Sequence, residues 1–392
     1  MTIAPLLAAL TVRVIAPMAD VPQPILRPVQ RQVASANAKQ QARLFADRHF
    51  TGKMFKEGCL PEPVVLRWEA EDCPDAFPRA TVAVKRLPDG KEVFAGISVT
   101  NSICVDNLEL GRTYAWCVTV RARGGEASAE GRFTTEDLPP RLMRVDGVPN
   151  VRDIGGWRGL GGRRVRQGVI YRSAGWNDNA ASKTQPGAWR LTDESRAEAA
   201  NTLGIVTDVD LRGKNERYGM EGSPIGPGVR LVTTSPCVRS YSNITCEISR
   251  AALKVILPTF LPPDPKNFPL VFHCIAGADR TGNLAYILNG LLGVSPSDLA
   301  CDYCFTTFAR NEWTPWNTGG GFDETGRPRK YALDRTREAI GAFPGATENE
   351  RIESYVKSLG FTDSDIAAFR DFMLEPAADA SGGNDFTKGD TK

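Results

Sequence analysis

Surplus charge of either sign is nearly absent: 48 lysines and arginines stand against 46 aspartates and glutamates, a formal net charge of +2 over 392 residues. A balanced chain generates no global field, so nothing marks nucleic acid or a membrane surface as the main partner, and any pull on anions has to be local. Histidine is scarcer still, with two in the chain. The C-x-x-C pair Cys301 and Cys304 therefore has no second pair or histidine to complete a zinc site, and it reads as packing on a helix rather than as a metal or redox pair. Long apolar runs are missing too. Residues 1–10 are apolar but carry no basic segment, and Arg13 follows closely, which makes a poor signal peptide and too short a membrane span. Nine cysteines are an odd number, so at least one stays unpaired, and a thiol nucleophile is the natural remainder.

What is present is ordinary for a globular chain: 42% hydrophobic and 24% charged residues. The length leaves room for two domains of roughly 100–200 residues each. Residues 11–15 read as a strand and residues 30–50 as a polar helical stretch, in which His49 takes no role. From Pro63 the pattern turns to short alternating runs at residues 64–68, 80–84 and 91–94, with a Pro88-Asp89-Gly90 turn, then 107–118 and 131–135. Such alternation is that of half-buried strands. The succession, with Trp68 early, Tyr114 and Trp116 late and Phe133-Thr134-Thr135 at its close, resembles a fibronectin type III module, an all-β sandwich. Its surface serves either for docking or as a spacer packed on the next domain, since fold alone does not give function. Residues 136–141 form a short, polar, proline-containing junction.

The densest signal is VFHCIAGADRTG, residues 271–282. An apolar strand runs into a glycine-containing loop, and an apolar-periodic helix opens at Thr281. Loop amides and a helix N-terminus aimed at one spot bind an anion with tetrahedral oxygens. The same field lowers a cysteine at the loop's base from about 8.5 toward a thiolate at neutral pH, which makes Cys274 a nucleophile facing phosphorus. Arg280, five intervening residues on, offers a planar fork to two phosphoryl oxygens. A lone buried cysteine is usually a small core hydrophobe; the whole string in this strand-to-helix setting is not.

HCIAGADRTG resembles the phosphate-binding loop of the cysteine-dependent protein tyrosine phosphatases: His-Cys, five residues, Arg, then Ser or Thr. Asn150-Val151-Arg152-Asp153-Ile154-Gly155-Gly156, Ile170-Tyr171-Arg172-Ser173-Ala174 and Asp208-Val209-Asp210-Leu211-Arg212 with Glu216 resemble the bacterial tyrosine phosphatase family that includes secreted tyrosine and lipid phosphatases. The likeness spans residues 148–292 and continues weakly to 374. It implies an α/β phosphatase domain, a central sheet flanked by helices, at residues 139–375, preceded by the all-β sandwich at 55–138. An extension at 1–54 is expected to pack on the sandwich, and a tail at 376–392 to be disordered.

The resemblance further implies phosphotyrosine hydrolysis through a phosphocysteine intermediate on Cys274, without metal or cofactor, with phosphoserine or phosphothreonine as further substrates. Ile275, Ala276, Gly277, Ala278, Asp279, Arg280 and Thr281 would bind the phosphate. His273, Arg152, Asp153 and Arg212 would support the loop. No Trp-Pro-Asp sequence is present, so the general acid is Asp210, at a strand end, or Asp279, inside the loop, with Asp210 preferred. Phosphoinositide-hydrolysing members tend to carry Lys where this chain has Ala278. Two rival readings stay open: an inositol phosphate or phosphoinositide phosphatase using Arg212, Lys214, Arg217 and Arg239, and an inactive binding protein working through the sandwich. The partner is a phosphorylated protein, peptide or small molecule, and family analogy points outside the cytoplasm. Helices are expected at 191–203, 281–292, 299–308, 337–343, 349–359 and 364–374, and residues 311–330 read as a lid or insert in which Trp313 and Trp316 stack a substrate ring or pack the loop.

Overall fold

The fold is taken from a computed structural model, which describes residues 10–47, 50, 60–76, 78–123, 125–176, 191–217, 219–235, 238, 244–309 and 331–377. His49, Cys59, Arg239, Trp313, Trp316, the expected lid at 311–330 and nearly all of the tail lie outside the described residues. No described helix is long and apolar enough to cross a membrane.

The first half is built from seven strands: β1 Thr11–Ala16, β2 Val64–Glu71, β3 Arg79–Arg86, β4 Glu92–Ser98, β5 Ser102–Val105, β6 Thr113–Ala122 and β7 Gly125–Thr134. They form two antiparallel sheets, ordered β1-β2-β5 and β4-β3-β6-β7. Alternation decides which face is buried. Val64, Leu66 and Trp68 of β2, Val82 and Val84 of β3, and Tyr114, Trp116, Val118 and Val120 of β6 point into one core with Leu110 and Phe133. Each large apolar side chain so removed from water contributes about 1.5–3 kcal/mol. Sequence reading missed β5 and the first half of β7. Gly125 to Gly131 has no large apolar residue, and this stretch is a strand because its backbone pairs with β6 from Ala122 back to Trp116.

The second half carries β8 Arg152–Asp153, β9 Ile170–Ser173, β10 Thr207–Asp210, β11 Arg230–Thr233 and β12 Leu270–His273, ordered β11-β10-β12-β9-β8. The first four in that order are parallel and β8 is an antiparallel edge. Every residue of β9, β10 and β12 is buried, as a sheet covered on both faces requires. Leu270 and Phe272 enter a core with the helices Glu247–Ile256 and Asp279–Leu291, while Val271 and Tyr171 face a second cluster with Ala199 and Leu203. Register sets Asp210, His273 and Ser173 side by side at the carboxyl ends, where open α/β sheets bind their ligands.

Several local expectations are modified by packing. The helical stretch at 30–50 is two helices, Pro28–Ala34 and Ala38–Ala46, because Asn37 caps the second through the Gln40 amide. The helix expected from Leu191 opens at its Thr192 cap, and its last turn, Glu198–Thr202, widens to π geometry. The extension at 1–54 divides between the two halves: β1 joins β2, whereas Leu26, Val29, Val33 and Phe50 enter the core of the second half.

A buried arginine is among the residues that join the halves. Arg141 donates to the Asn107 carbonyl at 2.5 Å, the Leu108 carbonyl at 3.0 Å and Asp153 Oδ2 at 2.8 Å. Asp153 also accepts the amides of Gly155 at 2.8 Å and Gly168 at 2.6 Å. Deleting one partner of a buried pair strands the other charge, so Arg141→Met is expected to cost about 3–5 kcal/mol. Urea unfolding checks this against Arg144→Met, whose partners Asp106 and Asp146 are reached from an exposed side chain and whose loss is expected to cost about 0–1 kcal/mol. Equal midpoints for the two variants would refute it.

Candidate active site

The loop between β12 and the helix Asp279–Leu291 is shaped by what holds its carbonyls. The Ile275 carbonyl accepts the Gly175 amide at 3.1 Å. Asn150 Nδ2 donates to the carbonyls of Ala276 at 3.0 Å and Gly277 at 2.9 Å, and Arg172 adds a bond to the Gly277 carbonyl at 2.9 Å. Peptide planes are rigid, so a carbonyl turned to an outside partner turns the attached N–H the other way. The N–H groups of Ile275, Ala276, Gly277 and Ala278 meet no protein acceptor among the described residues. Gly277 has φ +66°, and a Cβ there would lie 2.4 Å from the Ser173 carbonyl oxygen, so only glycine fits. The result is a run of loop amides turned away from these partners at a helix N-terminus, an arrangement that can take an anion.

Cys274 sits at its base, 3% exposed. Burial pushes its thiol up, but the Arg280 guanidinium and the hydroxyl and amide of Thr281 outweigh this, and the thiol ends below its ordinary value. Arg280 is held at the rim by Glu216: Nη1 donates to Oε2 at 2.6 Å and Nη2 to Oε1 at 2.9 Å. Glu216 also accepts the Gly213 amide at 2.7 Å. Burial raises the Glu216 carboxyl, but its bonds to Arg280 and Gly213 leave it below the usual range. Sequence reading placed Glu216 in a motif without a task; its task here is to aim the guanidinium.

Behind the loop, Arg152 and Arg172 converge on Asp302, by Arg152 Nε at 3.2 Å and Arg172 Nη1 at 2.5 Å. Burial and the neighbouring Arg172 push the Arg152 guanidinium down to about 9. Arg152 also donates to the Asn150 carbonyl oxygen of the side chain, which fixes the amide that grips the loop. Arg152 thus supports the loop through Asn150, while Asp153 faces Arg141 and the first half of the chain. Asp302 was missed. It lies between Cys301 and Cys304, and nothing in that spacing signals an acceptor for arginines 130 and 150 residues away.

The two candidate acids differ in setting. Asp210 is fully buried and accepts Arg212 through its amide at 3.0 Å, Nε at 2.9 Å and Nη2 at 2.9 Å. Burial raises its carboxyl, yet His273 and Arg212 hold it below the usual range. Asp279 stands in the first turn of the loop helix, half-buried at the rim, and accepts the Tyr303 hydroxyl at 2.6 Å. Lys214 and Arg217 lie in the short turn Lys214–Arg217 that carries Glu216, and neither is buried. Cys301 and Cys304 are buried, with the Cys301 thiol pushed up by burial, and no group of side chains able to hold a metal occurs among the described residues.

Residues 143–375 match the model of the tyrosine phosphatase family. A protein named as a tyrosine-protein phosphatase in Cupriavidus necator is 30% identical over 197 residues, 45% of this chain and 64% of the relative. The tyrosine-protein phosphatase of Nostoc commune is 26% identical over 204 residues, covering 45% and 68%. Human receptor-type tyrosine-protein phosphatase H is 26% identical over 214 residues, 52% of this chain but 17% of that protein. The chain thus spans under two thirds of the first of these relatives. Because the family match takes in more than half of the chain and every strand and helix that shapes the cysteine loop, the chain belongs to the tyrosine phosphatase family.

Proposed function

We propose that the protein hydrolyses phosphotyrosine esters without a metal, through a phosphocysteine formed on Cys274. The observation that carries this reading is the placement of Cys274 at the base of a loop whose amides at 275–278 meet no acceptor among the described residues, with Arg280 and Thr281 beside the sulfur favouring its thiolate. The sulfur attacks phosphorus, the bond to the leaving oxygen breaks, and an acid protonates that oxygen; water then displaces the sulfur, which Thr281 helps to leave.

Asp279 takes the acid role in this scheme, and the preference for Asp210 drawn from sequence is given up. A fully buried carboxyl bound three times by Arg212 is closed off from a leaving oxygen, whereas Asp279 is half-buried in the first turn of the loop helix, next to Arg280. In Asp279→Asn, turnover of a phenolic phosphate is expected to drop about 10²-fold. A more acidic leaving group, as in p-nitrophenyl phosphate, should suffer less. A phenolic-phosphate loss in folded Asp210→Asn that shrank with a more acidic leaving group, while Asp279→Asn kept normal turnover, would reverse the assignment.

Ala278 puts no second cation inside the loop, which favours a singly phosphorylated substrate. The rival, an inositol polyphosphate, would need Lys214 and Arg217 at the rim. Initial rates on a phosphotyrosine peptide and on an inositol polyphosphate, with chelator present, separate the two; the peptide is expected to be faster, and the reverse order would transfer the assignment. The two-sheet unit serves as a fibronectin-like spacer locked to the catalytic half, a role supported by Arg141 and by the Gln167 side chain, which bonds the Leu110 amide at 2.8 Å and carbonyl at 3.0 Å.

A further inference from the structure

Directly behind the nucleophile lies a cluster of buried charges that the scheme above leaves without a task. His273 Nε2 stands 2.8 Å from Asp208 Oδ1, with both side chains fully buried. The two atoms stand at contact distance without aligned hydrogen-bond geometry. The other Asp208 oxygen accepts the Ser223 hydroxyl at 2.8 Å. On the far side of the ring, His273 Nδ1 faces the Cys274 carbonyl at 3.3 Å and lies 3.9 Å from Asp210 Oδ1. Asp210 is in turn paired with Arg212 at 2.9 Å.

Buried carboxylates outnumber guanidinium groups among the described side chains that face the ring. Asp208 and Asp210 bring two negative charges from β10 and Arg212 brings one positive charge from just beyond it. Strand β9 contributes the uncharged Ser173 at the register position beside the histidine, and the loop helix presents Arg280 and Thr281 on the sulfur side. A proton on the imidazole sets a positive charge between two carboxylates that have one guanidinium beside them, which lowers the cost of burying both as anions. Burial alone would push the imidazole down, but Asp208 first and Asp210 second outweigh it, and the ring ends above its ordinary value.

We propose that Asp208 is a positioning residue for catalysis: it keeps His273 as an imidazolium whose Nδ1–H holds the Cys274 carbonyl, and the positive charge so placed helps keep the sulfur ionised. This rests on the phosphocysteine reading, in which the ionised sulfur is the nucleophile. Sign follows from linkage. A histidine raised in the folded state contributes stability below its unfolded value near 6.5, and loses it as pH rises through the folded value.

Two measurements on the full chain test it, and neither needs turnover. With two histidines in the sequence, the ring nitrogens of His273 can be followed by NMR. The pH dependence of Cys274 alkylation by iodoacetamide can be read on its own peptide despite nine cysteines. In the unaltered protein His273 is expected to be charged at pH 7. In Asp208→Asn it should be neutral there, and the alkylation midpoint should rise by about one pH unit, with kcat falling about tenfold on the acid side and KM little changed. If Asp208→Asn does not fold, the charge state of His273 in the unaltered protein decides by itself. A neutral His273 at pH 7 in the unaltered protein, or an unmoved alkylation midpoint in folded Asp208→Asn, would overturn the proposal. Inertness of the unaltered protein toward every phosphoester would instead strike at the enzymatic reading and leave these titrations to be judged by themselves.

Discussion

Cys274→Ser is expected to lose turnover on a phosphotyrosine peptide by on the order of 10⁴-fold or more while still binding inorganic phosphate. The loss follows from ionisation. Serine's hydroxyl stays protonated, whereas Arg280 and Thr281 hold the thiol below its ordinary value against the opposing effect of burial and so favour the thiolate. The retained affinity follows from geometry. The carbonyls of Ile275, Ala276 and Gly277 stay tied to Gly175, Asn150 and Arg172, so the amides keep facing the anion. Initial rates and phosphate titration by calorimetry check both halves. A serine variant that turned over normally would place the nucleophile elsewhere.

Arg280→Lys comes next in size, with an expected fall in kcat of about 10²–10³-fold although the charge is kept. Lowering the thiol value can raise the thiolate fraction at pH 7 by roughly thirtyfold, while each donor aimed at the transition state is worth about a hundredfold or more, so the grip on the oxygens dominates. A guanidinium can offer two nitrogens to Glu216, at 2.6 Å and 2.9 Å, and keep its planar fork aimed at the phosphoryl group; an ammonium is a point donor and cannot do both. Stopped-flow rates for Arg280→Lys beside Glu216→Gln check this. The glutamine variant, which keeps Arg280 but loosens its aim, should fall between the lysine variant and the unaltered protein. A lysine variant within a fewfold of the unaltered kcat would contradict the argument.

The loop was legible in sequence because its chemistry is contiguous: Cys274, Gly277, Arg280 and Thr281 fall within eight residues, and backbone geometry alone brings them together. Helix starts were readable for the same local reason, as at Thr192 and Ser295, whose hydroxyls cap the turns that follow. The rest depends on contacts far apart in the chain. Asp302 reaches Arg152 across 150 positions, and Arg280 meets Glu216 across 64. No periodicity encodes such meetings. Asp210 shows the limit most clearly, since its place at a strand end suggested an acid, and only the packed structure shows Arg212 and His273 closed around it. Asp208, quoted in the same motif, looked like a strand residue until β12 brought His273 beside it.

The most direct test of the thiolate nucleophile is to quench the protein in acid during turnover of a phosphotyrosine peptide and weigh its cysteine-containing peptides. One phosphoryl group on the Cys274 peptide, absent from Cys274→Ser, is the expected result. Steady turnover with an unmodified Cys274 peptide at every quench time, or a phosphoryl group carried by another residue, would contradict it.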